Sequence, residues 1–71
     1  METVYITTEY IKLESFLKLA NLVMSGGEAK LLIQDGYVKV NGETCLMQGK
    51  KLREGDKVSF RGAEVQVAYA P

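Results

Sequence analysis

Histidine is absent from this sequence, and its one cysteine, Cys45, has no second thiol to pair with. The usual proton shuttle near neutral pH is therefore missing, and no Ser, Cys or carboxylate has a recognisable base beside it. A zinc ligand set is missing as well. The chemistry left to this chain is anion binding, by cationic side chains and by free backbone N–H groups. Between Lys39 and Arg53, four cations (Lys39, Lys50, Lys51 and Arg53) stand against one anion, Glu43. Ahead of them, Ser25-Gly26-Gly27-Glu28 has the S-x-x-E spacing of a capping box, which starts a helix and leaves amides free at its positive end. Lys30 follows one turn later and Gln34 a turn after that, so Gly26, Lys30 and Gln34 fall on one line of that helix.

Nine Lys plus Arg balance nine Asp plus Glu over 71 residues, so net charge makes no case for a polyanion. The distribution has to make it. This length supports one domain, residues 1–71, with a small core and a stability of roughly 0.05 to 0.15 kcal/mol per residue. The N-terminal METVYITTEYIKL has no cationic region leading into an apolar run, and no segment approaches the ~20 apolar residues of a membrane span. The expectation is a protein neither exported nor embedded, without a membrane partner, and the lone thiol favours a reducing, cytoplasmic setting.

The elements that must position these groups follow from periodicity. Thr3 to Thr7 alternates and is rich in β-branched types, predicting a strand whose partner is not local. Leu13, Phe16, Leu17 and Ala20 share one helical face, predicting a helix to about Asn21, with Leu22, Val23 and Met24 as an apolar link packed under the domain. The second helix buries Ala29, Leu32 and Ile33 and stops at Asp35-Gly36. Its two glycines either admit close approach of a backbone or a phosphate, or make the bend between helices. Tyr37 to Val40 predicts a strand whose first residue, Tyr37, is expected to pack, the alternative being that it stacks on a base, and Asn41-Gly42 predicts a tight hairpin turn. The return strand is expected to run to about Met47, with Val40 opposite Glu43, Val38 opposite Cys45, and Cys45 in the core. Leu52 should anchor the Gln48-to-Lys51 loop. Lys57 to Phe60 and Ala63 to Tyr69 form a last hairpin with Val58 opposite Val65, and Ala63 to Tyr69 is the natural partner of the first strand.

Three motifs occur in order: Ser25-Gly26-Gly27-Glu28-Ala29-Lys30, then Leu32 to Gly42 (LIQDGYVKVNG), then Leu52-Arg53-Glu54-Gly55-Asp56-Lys57-Val58. Over residues 11 to 60 the chain resembles the ribosomal protein S4 RNA-binding domain, the αL RNA-binding motif, whose pattern is R-L-D, S-R-x-E-A-R, L-I-x-x-G-x-V-x-V-N-G and V-x-x-G-D-x-V. Its shortness and paired glycines look most like the stand-alone YaaA/YbcJ-type proteins. The resemblance implies an α+β fold of two packed helices on a small, bent, mostly antiparallel sheet of four to five strands, docking on folded and often ribosomal RNA without a cofactor. By position, Lys12 stands at the first arginine, Glu14 at the aspartate and Lys30 at the helix-two arginine, while Lys39 falls in the V-x-V-N-G strand. Gly26 departs from the pattern, where arginine is common, and removes a forked donor suited to phosphate.

The residues expected to meet RNA are Lys12, Ser25, Gly26, Gly27, Lys30, Gln34, Lys39, Asn41, Lys50, Lys51 and Arg53. The helix-two start, Lys30, Lys39 and the Lys50-Lys51 loop are expected to form one patch that positions a phosphate backbone without reading base sequence. The partner is a structured RNA or a ribonucleoprotein, met by a monomeric, non-catalytic module. The competing reading is a protein-interaction adaptor using the same helix-two surface. A ubiquitin-like sulfur carrier, suggested by V-x-V-N-G, lacks its terminal Gly-Gly here, since the chain ends Tyr69-Ala70-Pro71. Reversing Lys30, Lys50 and Lys51 together to Glu should abolish RNA retention on a filter. The thermal midpoint should hardly move, because exposed lysines contribute little to stability.

Overall fold

Alternation of apolar and polar side chains sets the architecture of the computed structural model, which describes residues 1–71. The elements in order are β1 (Glu2–Ile6), β2 (Ile11–Lys12), α1 (Leu13–Leu19), α2 (Gly26–Gln34), β3 (Val38–Val40), β4 (Glu43–Thr44), β5 (Lys51–Leu52), β6 (Lys57–Phe60) and β7 (Ala63–Tyr69). Five strands form one sheet in the order β1-β7-β6-β3-β4, and β2 with β5 makes a separate two-stranded ribbon. Every pair is antiparallel except β1 with β7, so the first strand does meet the last. The α+β expectation holds, with the ribbon as an addition to it.

Val38 and Val40 of β3, Val58 and Phe60 of β6, and Val65 and Val67 of β7 are buried at every second position. They meet Leu13, Phe16 and Leu17 of α1 and Ala29 and Ile33 of α2 in one cluster of 15 buried side chains, all of them apolar. Period two on the sheet and period three to four on the helices thus point into one core. Val58 lies opposite Val65 as its pattern requires. Leu32 packs only partly against this core. No helix is long and apolar enough to cross a membrane.

Four expectations change. Tyr37 is 59% exposed, because Val38 and Val40 occupy the inward positions and Tyr37, in phase with Lys39, must face outward. Met24 is 92% exposed while Val23 is buried. The backbone N–H of Met24 donates to the Glu28 carboxylate at 2.7 Å, which draws this residue into the helix cap and away from the core. The return strand stops at Thr44; Cys45 N–H still donates to the Val38 carbonyl at 3.0 Å, but Leu46 and Met47 leave the sheet. Cys45 is accordingly half-buried at the margin of the core.

The Asn41-Gly42 turn does more than reverse the chain. Asn41 and Gly42 have φ of 52° and 87°, as a type I′ turn requires. The Asn41 Oδ1 accepts from Lys57 N–H at 2.9 Å, and its Nδ2 donates to Asp56 Oδ1 at 3.1 Å. The other oxygen of Asp56 accepts from Arg53 N–H at 2.8 Å. This clasp locks the β3–β4 turn to the β5–β6 turn. Asn41→Ala should cost about 2 kcal/mol, from two lost hydrogen bonds and a side chain that tolerates positive φ less well. A lower urea midpoint at an unchanged slope would register it.

Candidate functional site

Helix α1 has no side-chain cap, since its N-cap residue is Lys12. The adjoining loop supplies the cap: Leu13 N–H donates to the Lys50 carbonyl at 2.8 Å and Glu14 N–H to the Gln48 carbonyl at 3.1 Å. Two of the helix's free amides are satisfied this way, and the loop is held against the helix start. The ribbon continues the attachment, pairing Ile11 with Leu52 and Lys12 with Lys51, while Leu52 is fully buried beneath it. These two stretches of chain, the start of α1 with β2 and the loop with β5, therefore bring Lys12, Lys50, Lys51 and Arg53 together. Tyr10 sits among them, with Lys51 Nζ 4.9 Å and Arg53 Cζ 5.7 Å from its ring centroid. Attraction of each cation to the ring quadrupole steadies these two side chains.

The fold does not neutralise this cluster. None of its side-chain hydrogen bonds engages a lysine or arginine head group. Two of the carboxylates on the neighbouring turn are committed elsewhere, Asp56 to Arg53 N–H and Asn41, and Glu54 to Tyr69 N–H, while Glu9 and Glu14 make no side-chain hydrogen bond. Lys12 is disfavoured twice, because it lies directly opposite another lysine and at the positive end of a helix. Both local rules oppose a cation at this position, and no side-chain hydrogen bond to Lys12 offsets them.

Helix α2 supplies the adjoining strip. Ser25 caps it, its Oγ accepting from Glu28 N–H at 3.2 Å. The Glu28 carboxylate reaches Met24 N–H, one residue earlier than the ordinary capping box. Gly26, Lys30 and Gln34 are exposed in line, and Gln34 Nε2 donates to Gln48 Oε1 at 3.2 Å. Lys30, Gln34, Gln48 and Lys50 thus run from the helix into the cationic ribbon. A Cβ on Gly26 would meet nothing within 4 Å, and neither Gly26 nor Gly27 has positive φ. The bend between the helices therefore requires neither glycine.

Two expected residues lie apart. Lys39 is on the sheet face turned away from the helices, opposite Thr44 and Ser59, so it does not join Lys30 and Lys50 in one patch. The alternation of β3 decides this, since both neighbours of Lys39 are buried. Asn41 spends both polar atoms of its side chain inside the clasp. Tyr10 and Gln48, which the sequence did not single out, join the strip. Tyr10 precedes Lys12 by the two-residue step that places neighbours on one side of an extended chain, and this spacing was its only signal.

Comparison with known proteins agrees with this architecture. The family model described as S4 domain matches residues 4–68. A Bacillus subtilis (strain 168) protein named "Probable ribosome maturation protein RlbA" is 46% identical over 57 residues, covering 80% of each chain. The Escherichia coli (strain K12) protein YbcJ is 40% identical over 58 residues, covering 82% of this chain and 83% of its own. The solution structure of YbcJ, reported to reveal an αL motif involved in RNA-binding, superposes with a TM-score of 0.73 over 96% of this chain and 87% of that one, at 36% identity. The 30S ribosomal protein S4e from Thermoplasma acidophilum shares the fold at a TM-score of 0.67, with 22% identity over 90% of this chain and 34% of that one. The chain belongs to the S4 domain family, as the motifs between residues 11 and 60 implied.

The unfavourable setting of Lys12 makes a test. Lys12→Glu should stabilise the protein by roughly 0.5 to 1 kcal/mol, by pairing with Lys51 and complementing the α1 dipole. RNA affinity should fall at the same time, measured by anisotropy beside a denaturation curve.

Proposed function

We propose that this protein is a non-catalytic RNA-binding module that holds a structured RNA, ribosomal or in a ribosome-associated particle, through phosphate and shape contacts. The observation that carries this reading is the group of Lys12, Lys50, Lys51 and Arg53 around Tyr10, a concentration of positive charge with no carboxylate hydrogen-bonded to its head groups. The α2 strip of Lys30 and Gln34 extends it, and the bare start of that helix lets a phosphate approach backbone N–H groups without meeting a Cβ. The name of the Bacillus relative and the reported motif of YbcJ support the ribosomal and RNA parts of the reading.

A second reading is favoured by one observation. Met24, Leu31, Leu46 and Met47 are all more than half exposed, Met24 at 92%, which suits an apolar contact with a protein component of a ribonucleoprotein. A pull-down with and without nuclease separates the readings, since a protein partner that survives digestion favours the adaptor. For RNA, about four neutralised phosphates give a slope of log affinity against log salt near −3 to −4. A titration across salt concentrations that found affinity independent of salt would overturn the phosphate reading.

A further inference from the structure

At the β6–β7 turn, beside the outward residues of β3 and β6, lies a cleft that the helix-side site does not use. Its volume is about 180 Å³, and Tyr37, Lys39, Ser59, Phe60, Arg61 and Gly62 line it. Lys39 lies directly opposite Ser59, and Tyr37 precedes Lys39 by one outward-facing step, so an exposed aromatic ring and a lysine share this rim. Arg61 closes the other end. Its guanidinium carbon rests 4.9 Å from the Phe60 ring centroid.

Arg61 is the telling residue. Three residues other than glycine have positive φ: Asn21, Asn41 and Arg61, the last at 50°. Asparagine tolerates that region, whereas arginine there is strained. The first position of the β6–β7 turn thus holds a residue the turn itself disfavours, and that residue borders a cleft. Glu64, opposite Ser59, is the one carboxylate carried by the adjoining strand pair, and it does not line the cleft. Neither Lys39 nor Arg61 makes a side-chain hydrogen bond.

We propose that this cleft is a second nucleic-acid contact, in which one unpaired nucleotide stacks its base on Tyr37 and sets its phosphate between Lys39 and Arg61. Two cations without a side-chain hydrogen bond, beside an exposed aromatic ring, match the charge and the π surface of a single-stranded nucleotide. The cleft is well below the ~300 Å³ of an ordinary small-molecule pocket, so it seats only a phosphate and one face of a base, with the rest of the nucleotide and strand outside. The module then touches RNA on two opposite faces, a folded segment on the helices and a looped-out nucleotide on the sheet.

The test uses the whole chain and a short, labelled, single-stranded oligoadenylate, with inorganic phosphate and polyglutamate as comparison probes. Tyr37→Ser and Arg61→Asn should each weaken oligoadenylate binding about tenfold, the loss of one stacked base or one phosphate contact. Arg61→Asn should leave the thermal midpoint within a few degrees, because Asn suits the turn and offsets the lost contact with Phe60. Reversal of Lys30, Lys50 and Lys51 should spare oligoadenylate binding while removing structured RNA, which separates this site from the helix-side one. Unchanged oligoadenylate affinity in both cleft variants overturns the proposal. Polyglutamate or free phosphate binding as tightly as oligoadenylate, indifferent to Tyr37→Ser, overturns it too.

Discussion

Two backbone hydrogen bonds hold the cationic end of this molecule together. Leu13 and Glu14, the first residues of α1, donate to carbonyls of Lys50 and Gln48 in a loop that is more than thirty positions away in the chain. A helix that began with Ser or Asp could have drawn on its own side chain for a cap, leaving the ribbon and Leu52 to hold the loop. Because Lys12 stands at the cap, the amides turn to the loop, and the loop's lysines are brought beside Lys12. The same contact seats Gln48 where Gln34 of α2 reaches it. Helix start, loop and second helix are thereby one surface, underpinned by the burial of Leu52.

The surface is assembled at some cost to stability. Lys12 faces Lys51, the glycines of α2 replace better helix formers, and Arg61 sits at positive φ. In a chain of 71 residues, whose net stability is on the order of a few kcal/mol, such choices are not negligible. The core offsets them by being wholly apolar and by leaving no buried side-chain polar atom without a partner. The Asn41–Asp56 clasp adds to this by tying two turns that flank β6. Core and clasp are devoted to holding shape, while the cations at the ribbon, helix and sheet face remain uncommitted.

Much of this architecture was legible in the residues. The capping box of Ser25, the positive-φ turn at Asn41-Gly42, the Val58–Val65 register and the burial of Leu52 all depend on local chemistry or on strict alternation, and each is where the pattern puts it. The β2–β5 ribbon was not legible, because two residues per strand are too few to display a period. Tyr10 was missed for the same reason, since its significance comes from Lys51 and Arg53, which only the ribbon brings to it. The strand of Lys39 follows from its alternation, but the residues it stands beside do not. Its neighbours in sequence suggested one patch, whereas the pleat turned it to the far side.

The sequence by itself determined the two helices, the longer strands, the Ser25 cap, the Asn41-Gly42 turn, most of the inward residues and the family, because these follow from spacing along one chain. Only the tertiary structure decided which cations share a surface. That depends on which face of the sheet the helices cover and on which distant carbonyls complete α1. The core cluster and the hydrogen bonds from Leu13 and Glu14 settle both. Charges count by their distance through space, and neither of these long-range choices leaves a periodic trace in the chain.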